Sequence, residues 1–204
     1  TLHHIYHSLK KTDEEALLAY VGIPSDIKKK ICDVVGIYVK KGKVVNMKPV
    51  YIINGFLESG KTEFISFTLS QPYFQIKGTT LLIVCEEGEI EYDEDILKKS
   101  RTVMEVIEDE EELTSQKLLE LEKKYNPERI VIEYNGMWNF KEFKMPWHWT
   151  LEQQITTIDA STFQNYYSNM RSLLAEMMRK SELILFNRCD GLEDQLSNFK
   201  RNVK

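Results

Sequence analysis

The 204 residues include 42% hydrophobic and 29% charged side chains, ordinary proportions for a globular protein that can bury a core. A formal net charge of -5 argues against a general nucleic-acid binder, and no apolar run approaches the ~20 residues that a membrane-spanning helix needs. The three cysteines are scattered and odd in number, which argues against a disulfide framework. These features predict a cytoplasmic protein that neither spans a membrane nor binds nucleic acid.

Residues 1–46 differ in composition from the rest of the chain. They hold eight lysines and five acidic residues, whereas the remainder holds nineteen basic and twenty-seven acidic residues. Two short amphipathic helices are predicted over residues 13–20 and 25–35, and a short strand with a lysine-rich turn over residues 36–45. We therefore expect a mainly helical N-terminal appendage over residues 1–46, of open role, before a domain over residues 47–204.

From residue 50 onward, predicted strands and helices alternate. The strands are predicted over residues 50–53, 80–84, 102–107, 130–132, 155–158 and 183–186, and the helices over 62–69, 114–125 and 163–179. Such alternation indicates an α/β fold with a doubly wound, mostly parallel sheet and helices on both faces. Ligands of such folds bind at the carboxyl ends of the strands.

The first of these strands leads directly into G-x-x-x-x-G-K-T, the pattern of a phosphate-binding loop. Glycines in such a loop allow close backbone approaches, so that amides of the loop and of the next helix can point at phosphate oxygens. Lys61 is expected to reach the β- and γ-phosphates, and the Thr62 hydroxyl to bind Mg²⁺. The predicted nucleotide-binding residues of the loop are Gly55, Glu58, Ser59, Gly60, Lys61, Thr62 and Glu63.

Polar residues follow three later strands, where a phosphate-processing site needs them. The segments are CEEGEIEYD after residue 84, EYNG after residue 132 and NRCD after residue 186. Glu133 is best placed to hold Mg²⁺ opposite Thr62, directly or through water. The amide of Gly136 is a candidate sensor of the γ-phosphate.

Asn187-Arg188-Cys189-Asp190 is similar to the guanine-specificity motif N-K-x-D. In that motif the aspartate accepts two hydrogen bonds from guanine N1 and N2, which adenine cannot offer. We therefore predict that Asn187 and Asp190 contact the base. Arg188 replaces lysine and weakens the match, so that a plain turn after a strand remains the alternative.

The ordered motifs GFLESGKT, CEEGEIEYD, IEYNG, ITTIDASTF and LFNRCD resemble the CobW/HypB/UreG class of P-loop GTPases, and most closely its CobW-like branch. The resemblance implies a SIMIBI-type fold and Mg²⁺-dependent hydrolysis of GTP, coupled to metal or metallocofactor homeostasis. It assigns Lys61 and Glu133 to catalysis, and Thr62, Glu86, Asp93 and Glu133 to the Mg²⁺ site. Glu86 and Asp93 fall in its first switch segment.

Some features depart from that family pattern. Residues 101–125 contain no cysteine or histidine where the CobW-like branch carries C-x-C-C, which argues against a direct zinc chaperone. The chain ends soon after Asp190, so that a C-terminal truncation is expected. No arginine finger is recognisable, although Arg101 and Arg129 are available, and hydrolysis should be slow without a partner or a homodimer contact. The expected partners are a metalloprotein or a permease.

Two other functions fit the same residues. One is a GTP-binding switch with little turnover that regulates a permease or an enzyme. The other is an ATP-dependent kinase or ATPase that shares only the loop. The rate of GTP hydrolysis with and without partners distinguishes the switch from a GTPase. A preference for GTP or ATP distinguishes the kinase or ATPase from a GTPase.

Two further segments carry chemical signals without a decisive pattern. Residues 108–112 form an acidic run, interpreted as a solvated helix entry and not as a metal site. Aromatic residues follow Gly136 in the predicted second switch region, and either a partner surface or ordinary packing explains them equally well. They include Trp138, Phe140, Phe143, Trp147 and Trp149.

Overall fold

The computed structural model describes residues 37–40, 43–86, 88 and 90–202. Their contacts divide the chain into two compact units, Thr1–Lys48 with Trp147–Thr150 and Pro49–Pro146 with Leu151–Lys204. The helices predicted over residues 13–20 and 25–35 lie outside the described part. Within that part, every helix is too short or too polar to cross a membrane.

The first unit contains an antiparallel hairpin of β1 (Ile37–Lys40) and β2 (Lys43–Asn46). Ile37 pairs with Asn46, and Lys40 pairs with Lys43. The single strand predicted over residues 36–45 is therefore two paired strands.

The second unit is built on a six-stranded parallel sheet with the order β5-β4-β6-β3-β7-β8. The strands are β3 (Lys48–Gly55), β4 (Thr80–Val84), β5 (Thr102–Val106), β6 (Arg129–Asn135), β7 (Trp149–Asp159) and β8 (Leu183–Asn187). Its central strands are apolar on both faces because helices cover both sides of the sheet. In the register, Ile53 and Val84 both pair with Glu133, which brings the ends of three strands together.

Six helices connect or follow these strands in the described residues. They are α1 (Lys61–Ser70), α2 (Glu94–Lys99), α3 (Ser115–Tyr125), α4 (Phe163–Asn169), α5 (Arg171–Arg179) and α6 (Glu193–Asn202). Helix α3 begins where the Thr114 hydroxyl accepts a hydrogen bond from the Lys117 amide, and it ends at Asn126 in the left-handed conformation. Short 3₁₀ turns span Pro72–Phe74 and Glu110–Glu112.

The core lies on both faces of the sheet. On one face, Ile65 and Leu69 of α1 pack against Ile53, Leu82 and Val131. A second cluster joins apolar residues of α4, α5 and α6 to Phe56 and Ile158, and the helices contribute Phe163, Leu174, Met177, Met178 and Phe199. The doubly wound α/β fold predicted from the alternation is therefore confirmed.

The prediction of a single helix over residues 163–179 was wrong, because the helix is interrupted at Met170. The backbone there has φ -131° and ψ 34°, which is outside the helical region, and α5 begins at the next residue. No glycine or proline marks the break. Its consequence is that Phe163 of α4 and Met177 of α5 contribute to the same cluster.

Candidate functional site

The loop between β3 and α1 depends on two glycines. Gly60 has φ +93°, in the left-handed region that favours glycine, and it directly precedes α1. A Cβ atom on Gly55 would lie 2.4 Å from the Ser59 hydroxyl oxygen and 2.6 Å from the Thr157 carbonyl oxygen. The loop can therefore close against β7 only with hydrogen at position 55.

Lys61 lies inside the curve of this loop and is only 4% exposed. Its ammonium donates to the carbonyl oxygens of Gly55 at 3.0 Å and Phe56 at 2.9 Å, and to Glu86 Oε2 at 2.7 Å. The pair with Glu86 connects the loop to the segment that follows β4. The structure thus brings together two residues that the sequence placed in separate motifs.

Glu133 is the carboxylate beside the start of α1, and it is 3% exposed. Thr62 Oγ1 donates to its Oε1 at 2.9 Å, and the Tyr92 hydroxyl donates to its Oε2. Burial raises the pKa of Glu133, while the Tyr92 hydrogen bond and the charge of Lys61 oppose that rise. Carboxylate and hydroxyl oxygens are ligands of the kind that Mg²⁺ prefers, so Thr62 and Glu133 fit that ion.

These side chains surround a pocket of about 240 Å³. Its lining includes Glu58, Gly60, Lys61, Thr62, Glu63, Glu86, Glu133 and Arg188. Asp93, the other predicted Mg²⁺ ligand, is outside this lining. Its carboxylate accepts hydrogen bonds from the Asp95 amide at 2.7 Å and the Ile96 amide at 3.3 Å, and it caps the start of α2.

Arg188 fastens the loop to the ends of β7 and β8, a role that the sequence reasoning missed. Its Nη1 donates to the Glu58 carbonyl oxygen at 2.7 Å and to Asp159 Oδ2 at 2.7 Å. Burial pushes the pKa of Asp159 upward, but hydrogen bonds from Ser161 and Arg188 outweigh it and lower that pKa. The motif ITTIDASTF contains Asp159 and was the available signal for this contact.

Ser59 is buried through a second contact that the sequence did not reveal. Its hydroxyl lies 2.8 Å from Thr157 Oγ1 on β7. This predicted nucleotide-binding side chain therefore secures the loop to the sheet in the structure. Periodicity could not identify Thr157, because it reads as an ordinary strand residue.

The two predicted base-binding residues have different surroundings. Asn187 is half-buried, and its Nδ2 would lie 2.2 Å from a Cβ atom on Gly60, so that it sits against the phosphate loop. Its Oδ1 accepts from the Arg188 amide at 2.9 Å. Asp190 is exposed in the turn before α6. The structure therefore brings Asn187, but not Asp190, against the loop.

The predicted second switch segment begins with a close backbone contact. The Gly136 amide, predicted to sense a γ-phosphate, donates to the Gly55 carbonyl oxygen at 3.1 Å. Three of the aromatic residues that follow it pack around Tyr134, with ring centroids 5.9 Å away for Trp138, 5.0 Å for Phe140 and 5.5 Å for Phe143. Packing explains these three rings.

Soft-metal ligands are sparse in the part of the chain that the structure describes. No group of three or more His, Cys, Asp or Glu side chains there is arranged to hold a metal ion. Cys85 follows β4 and is buried; burial and the nearby Glu133 raise the pKa of its thiol, which opposes formation of the thiolate that binds metals.

Comparison with known proteins agrees with this geometry. Residues 49–204 match the model of the CobW/HypB/UreG nucleotide-binding domain. The Zn(II)-bound YjiA GTPase of E. coli is similar with 21% identity and a TM-score of 0.55, over 78% of this chain and 55% of that one. The hydrogenase maturation factor HypB of Archaeoglobus fulgidus is similar with 16% identity and a TM-score of 0.57, over 77% of this chain and 75% of that one.

These two structural similarities establish the fold, and the chain spans only about half the length of YjiA. The comparison with curated proteins gives no match. The match to the domain model extends over most of the chain and includes every motif of the site. The chain therefore belongs to the CobW/HypB/UreG family.

Proposed function

We propose that this protein binds GTP with Mg²⁺ and hydrolyses it, as a CobW-like member of its family. The observation that carries the proposal is the buried Lys61 ammonium inside the loop, beside the Thr62–Glu133 pair. A lysine is expected to be buried only where anions meet it. A loop built on two glycines, with a cation and a hydroxyl–carboxylate pair in the pocket beside it, suits a triphosphate with its metal ion.

Each side chain has a distinct task in this proposal. Lys61 exchanges contacts with the loop carbonyls and Glu86 for contacts with the β- and γ-phosphate oxygens, and the loop amides bind the same phosphates. Thr62 and Glu133 hold Mg²⁺, which neutralises charge that develops during phosphoryl transfer. Tyr92 and Thr62 keep the Glu133 carboxylate oriented, since each donates to one of its oxygens.

Base selection is assigned to the turn after β8. Asp190 accepts hydrogen bonds from guanine N1 and N2, and Asn187 approaches the base from beside Gly60. Adenine offers neither donor to a carboxylate at that place, so GTP should bind better than ATP. The contact of Asn187 with the loop supports the proposal because it joins the base and phosphate regions.

One observation favours low turnover without a partner. Arg101 Nη1 donates to the Lys77 carbonyl oxygen, and Arg129 donates to the Phe74 carbonyl oxygen and to Thr80. Arg188 is held by Glu58 and Asp159. Arg101 and Arg129 are therefore engaged away from the pocket, and Arg188 in its lining is already paired, so hydrolysis should accelerate only when a partner or a second copy supplies a cation.

The role in metal or metallocofactor handling follows from the family and remains a proposal. One structural neighbour is a Zn(II)-bound GTPase and another is a hydrogenase maturation factor. We infer a cytoplasmic protein whose segments 86–93 and 135–149 rearrange with nucleotide to engage a metalloprotein or a permease. Residues 1–46 are proposed as a separate appendage whose role is open.

The test is release of inorganic phosphate from GTP and from ATP, with Mg²⁺ and with EDTA, at several protein concentrations. We expect slow, Mg²⁺-dependent release from GTP that is lost in Lys61→Met. A rate per molecule that rises with protein concentration would support a homodimer. Tight GTP binding without any release would support the regulatory switch, and faster release from ATP would contradict the proposal.

A further inference from the structure

A second cleft lies beside the 3₁₀ turn Glu110–Glu112, on residues that the proposed nucleotide site does not use. Its volume is about 570 Å³, larger than that of the pocket at the phosphate loop. Its lining is formed by Glu110, Glu111, Leu113, Thr114, Ser115, Tyr134, Asn139, Glu142, Phe143 and Lys144. The cleft has an apolar floor and an acidic rim.

The floor contains Tyr134, a buried tyrosine whose hydroxyl has no hydrogen-bond partner among the described contacts. Tyr134 is 1% exposed, and its ring is enclosed by Trp138, Phe140 and Phe143. Among the described contacts its hydroxyl makes no hydrogen bond, although the side chain lines the cleft. A hydroxyl group that borders the cleft and has no protein partner is available to accept a hydrogen bond from a ligand.

The rim carries three carboxylates, and none has a cationic partner in the described part of the chain. Asn139 donates a hydrogen bond to one carboxylate oxygen of Glu110 and to one of Glu142. Its amide donates to Glu110 Oε1 at 2.7 Å, and its Nδ2 donates to Glu142 Oε1 at 2.7 Å. Both donors are neutral, so the negative charges of Glu110 and Glu142 remain, and Lys144 is the one cation in the lining.

The arrangement distinguishes between kinds of cation. A divalent metal ion needs ligands that converge on one point, and no such group of acidic side chains exists among the described residues. A guanidinium group is wider and planar, presents five donors, and stacks on aromatic rings. The Glu110 and Glu142 carboxylates share the cleft lining with the Phe143 ring and the Tyr134 hydroxyl, a set that matches a guanidinium group better than it matches a metal ion.

We propose that this cleft receives an arginine side chain of a partner protein. The guanidinium group donates to Glu110, Glu142 and the Tyr134 hydroxyl and rests on the Phe143 ring. A lysine would satisfy the charge but not the flat aromatic surface or several acceptors at once. The cleft is apart from the phosphate loop, but Asn139, Glu142 and Phe143 lie in the segment 135–149 that is proposed to rearrange with nucleotide.

The test is an NMR titration of the isotope-labelled chain with the peptide acetyl-Gly-Arg-Gly-amide. The matched peptides carry lysine, or the neutral arginine isostere citrulline, in place of arginine. We expect saturable shifts at the amides of residues 110–115 and 134–144 with the arginine peptide, severalfold weaker binding of the lysine peptide, and none of the citrulline peptide. Equal citrulline binding, or shifts that spread without saturation over other acidic surfaces, would overturn the proposal.

Two variants separate the cleft from general surface charge. The double variant Glu110→Gln, Glu142→Gln should bind the arginine peptide about tenfold more weakly, since two exposed charge pairs are lost. Tyr134→Phe should bind the arginine peptide about threefold more weakly, because one hydrogen bond is lost. Glu152→Gln with Glu182→Gln removes the same charge from exposed residues outside the cleft and should change nothing.

An equal loss in that control would overturn the assignment. If the double variant in the cleft does not fold, Tyr134→Phe and the citrulline peptide still decide the outcome. Zn²⁺ or Ca²⁺ that causes the same localised shifts as the arginine peptide would also contradict it, because the cleft would then be a metal site.

Discussion

The phosphate end and the base end of the proposed nucleotide site are built differently. At the phosphate end, Lys61 and Glu133 are buried and bound to Glu86, Thr62 and the loop backbone. At the base end, Asp190 is exposed in a surface turn after the last strand of the sheet. One end has its groups fixed before a ligand arrives, whereas the other must position its key carboxylate on binding.

The position of each end in the sheet explains this difference. The phosphate loop follows β3, which has neighbours on both sides, while the base-recognition turn follows β8 at the sheet edge. A preorganised group loses less conformational freedom on binding than an exposed one. The comparison teaches that phosphate affinity should be robust, while base selectivity should be the more easily altered property.

The largest expected effect is at the phosphate end. Lys61→Met keeps the apolar stem but removes the charge, and it should weaken GTP binding about 100-fold, because charge-assisted bonds to two phosphates are lost. Fluorescence titration with labelled GTP measures this. Lys141→Met is the matched control, since Lys141 is exposed and pairs with Glu176. An unaffected Lys61→Met would remove the distinction between the two ends.

Glu133→Gln should abolish most of the increase in GTP affinity that Mg²⁺ causes, while GTP binding without the metal ion stays unchanged. The change keeps the side-chain shape but removes the charge that the cation needs, and we expect about 30-fold weaker Mg²⁺ affinity. Titration of Mg²⁺ into the complex with labelled GTP gives the value. Glu120→Gln, on the exposed side of α3, is the control. Unchanged Mg²⁺ affinity would assign the metal to other ligands.

Asp190→Asn should reverse base preference without a loss of phosphate affinity. An amide can donate to the C2 oxygen of xanthine, whereas a carboxylate accepts from the guanine amine. We expect GTP to bind about tenfold more weakly and XTP to bind better than GTP. Asp194→Asn in α6 is the control. Unaltered preference would place base recognition elsewhere.

The smallest effect tests the link between the two ends. Gly60→Ala should lower the free energy of unfolding by about 1–2 kcal/mol, because alanine is strained at positive φ. It should also displace Asn187 and weaken GTP binding. Gly191→Ala has similar strain at φ +73° with nothing within 4 Å, so it should cost stability alone. Urea unfolding and GTP titration on both variants compare them.

The same contrast explains what the sequence could predict. The six strands and their parallel direction were recoverable, since apolar runs, turns and an ordered motif set all indicated one architecture, whereas the order of the strands in the sheet was not predicted. Lys61, Thr62 and Glu133 were identifiable because short motifs define their chemistry. Helix α2 was missed although Asp93 precedes its acidic first turn and its lysine-containing last turn, which together form a recognisable start and stop signal.

The contacts that the sequence could not reveal join residues far apart in the chain. Ser59 meets Thr157, and Tyr92 meets Glu133, through side chains that fit many other environments. The break at Met170 likewise follows from packing and not from a local breaker. Periodicity reports which face of an element is buried, but it does not report which polar groups meet across the sheet.

The most direct test of the account is a fluorescence titration of the unmodified chain with labelled GTP and labelled ATP, each with and without Mg²⁺. The account predicts that GTP binds more tightly than ATP and that Mg²⁺ strengthens its binding. Equal or tighter binding of ATP, or GTP binding that Mg²⁺ does not change, would contradict it.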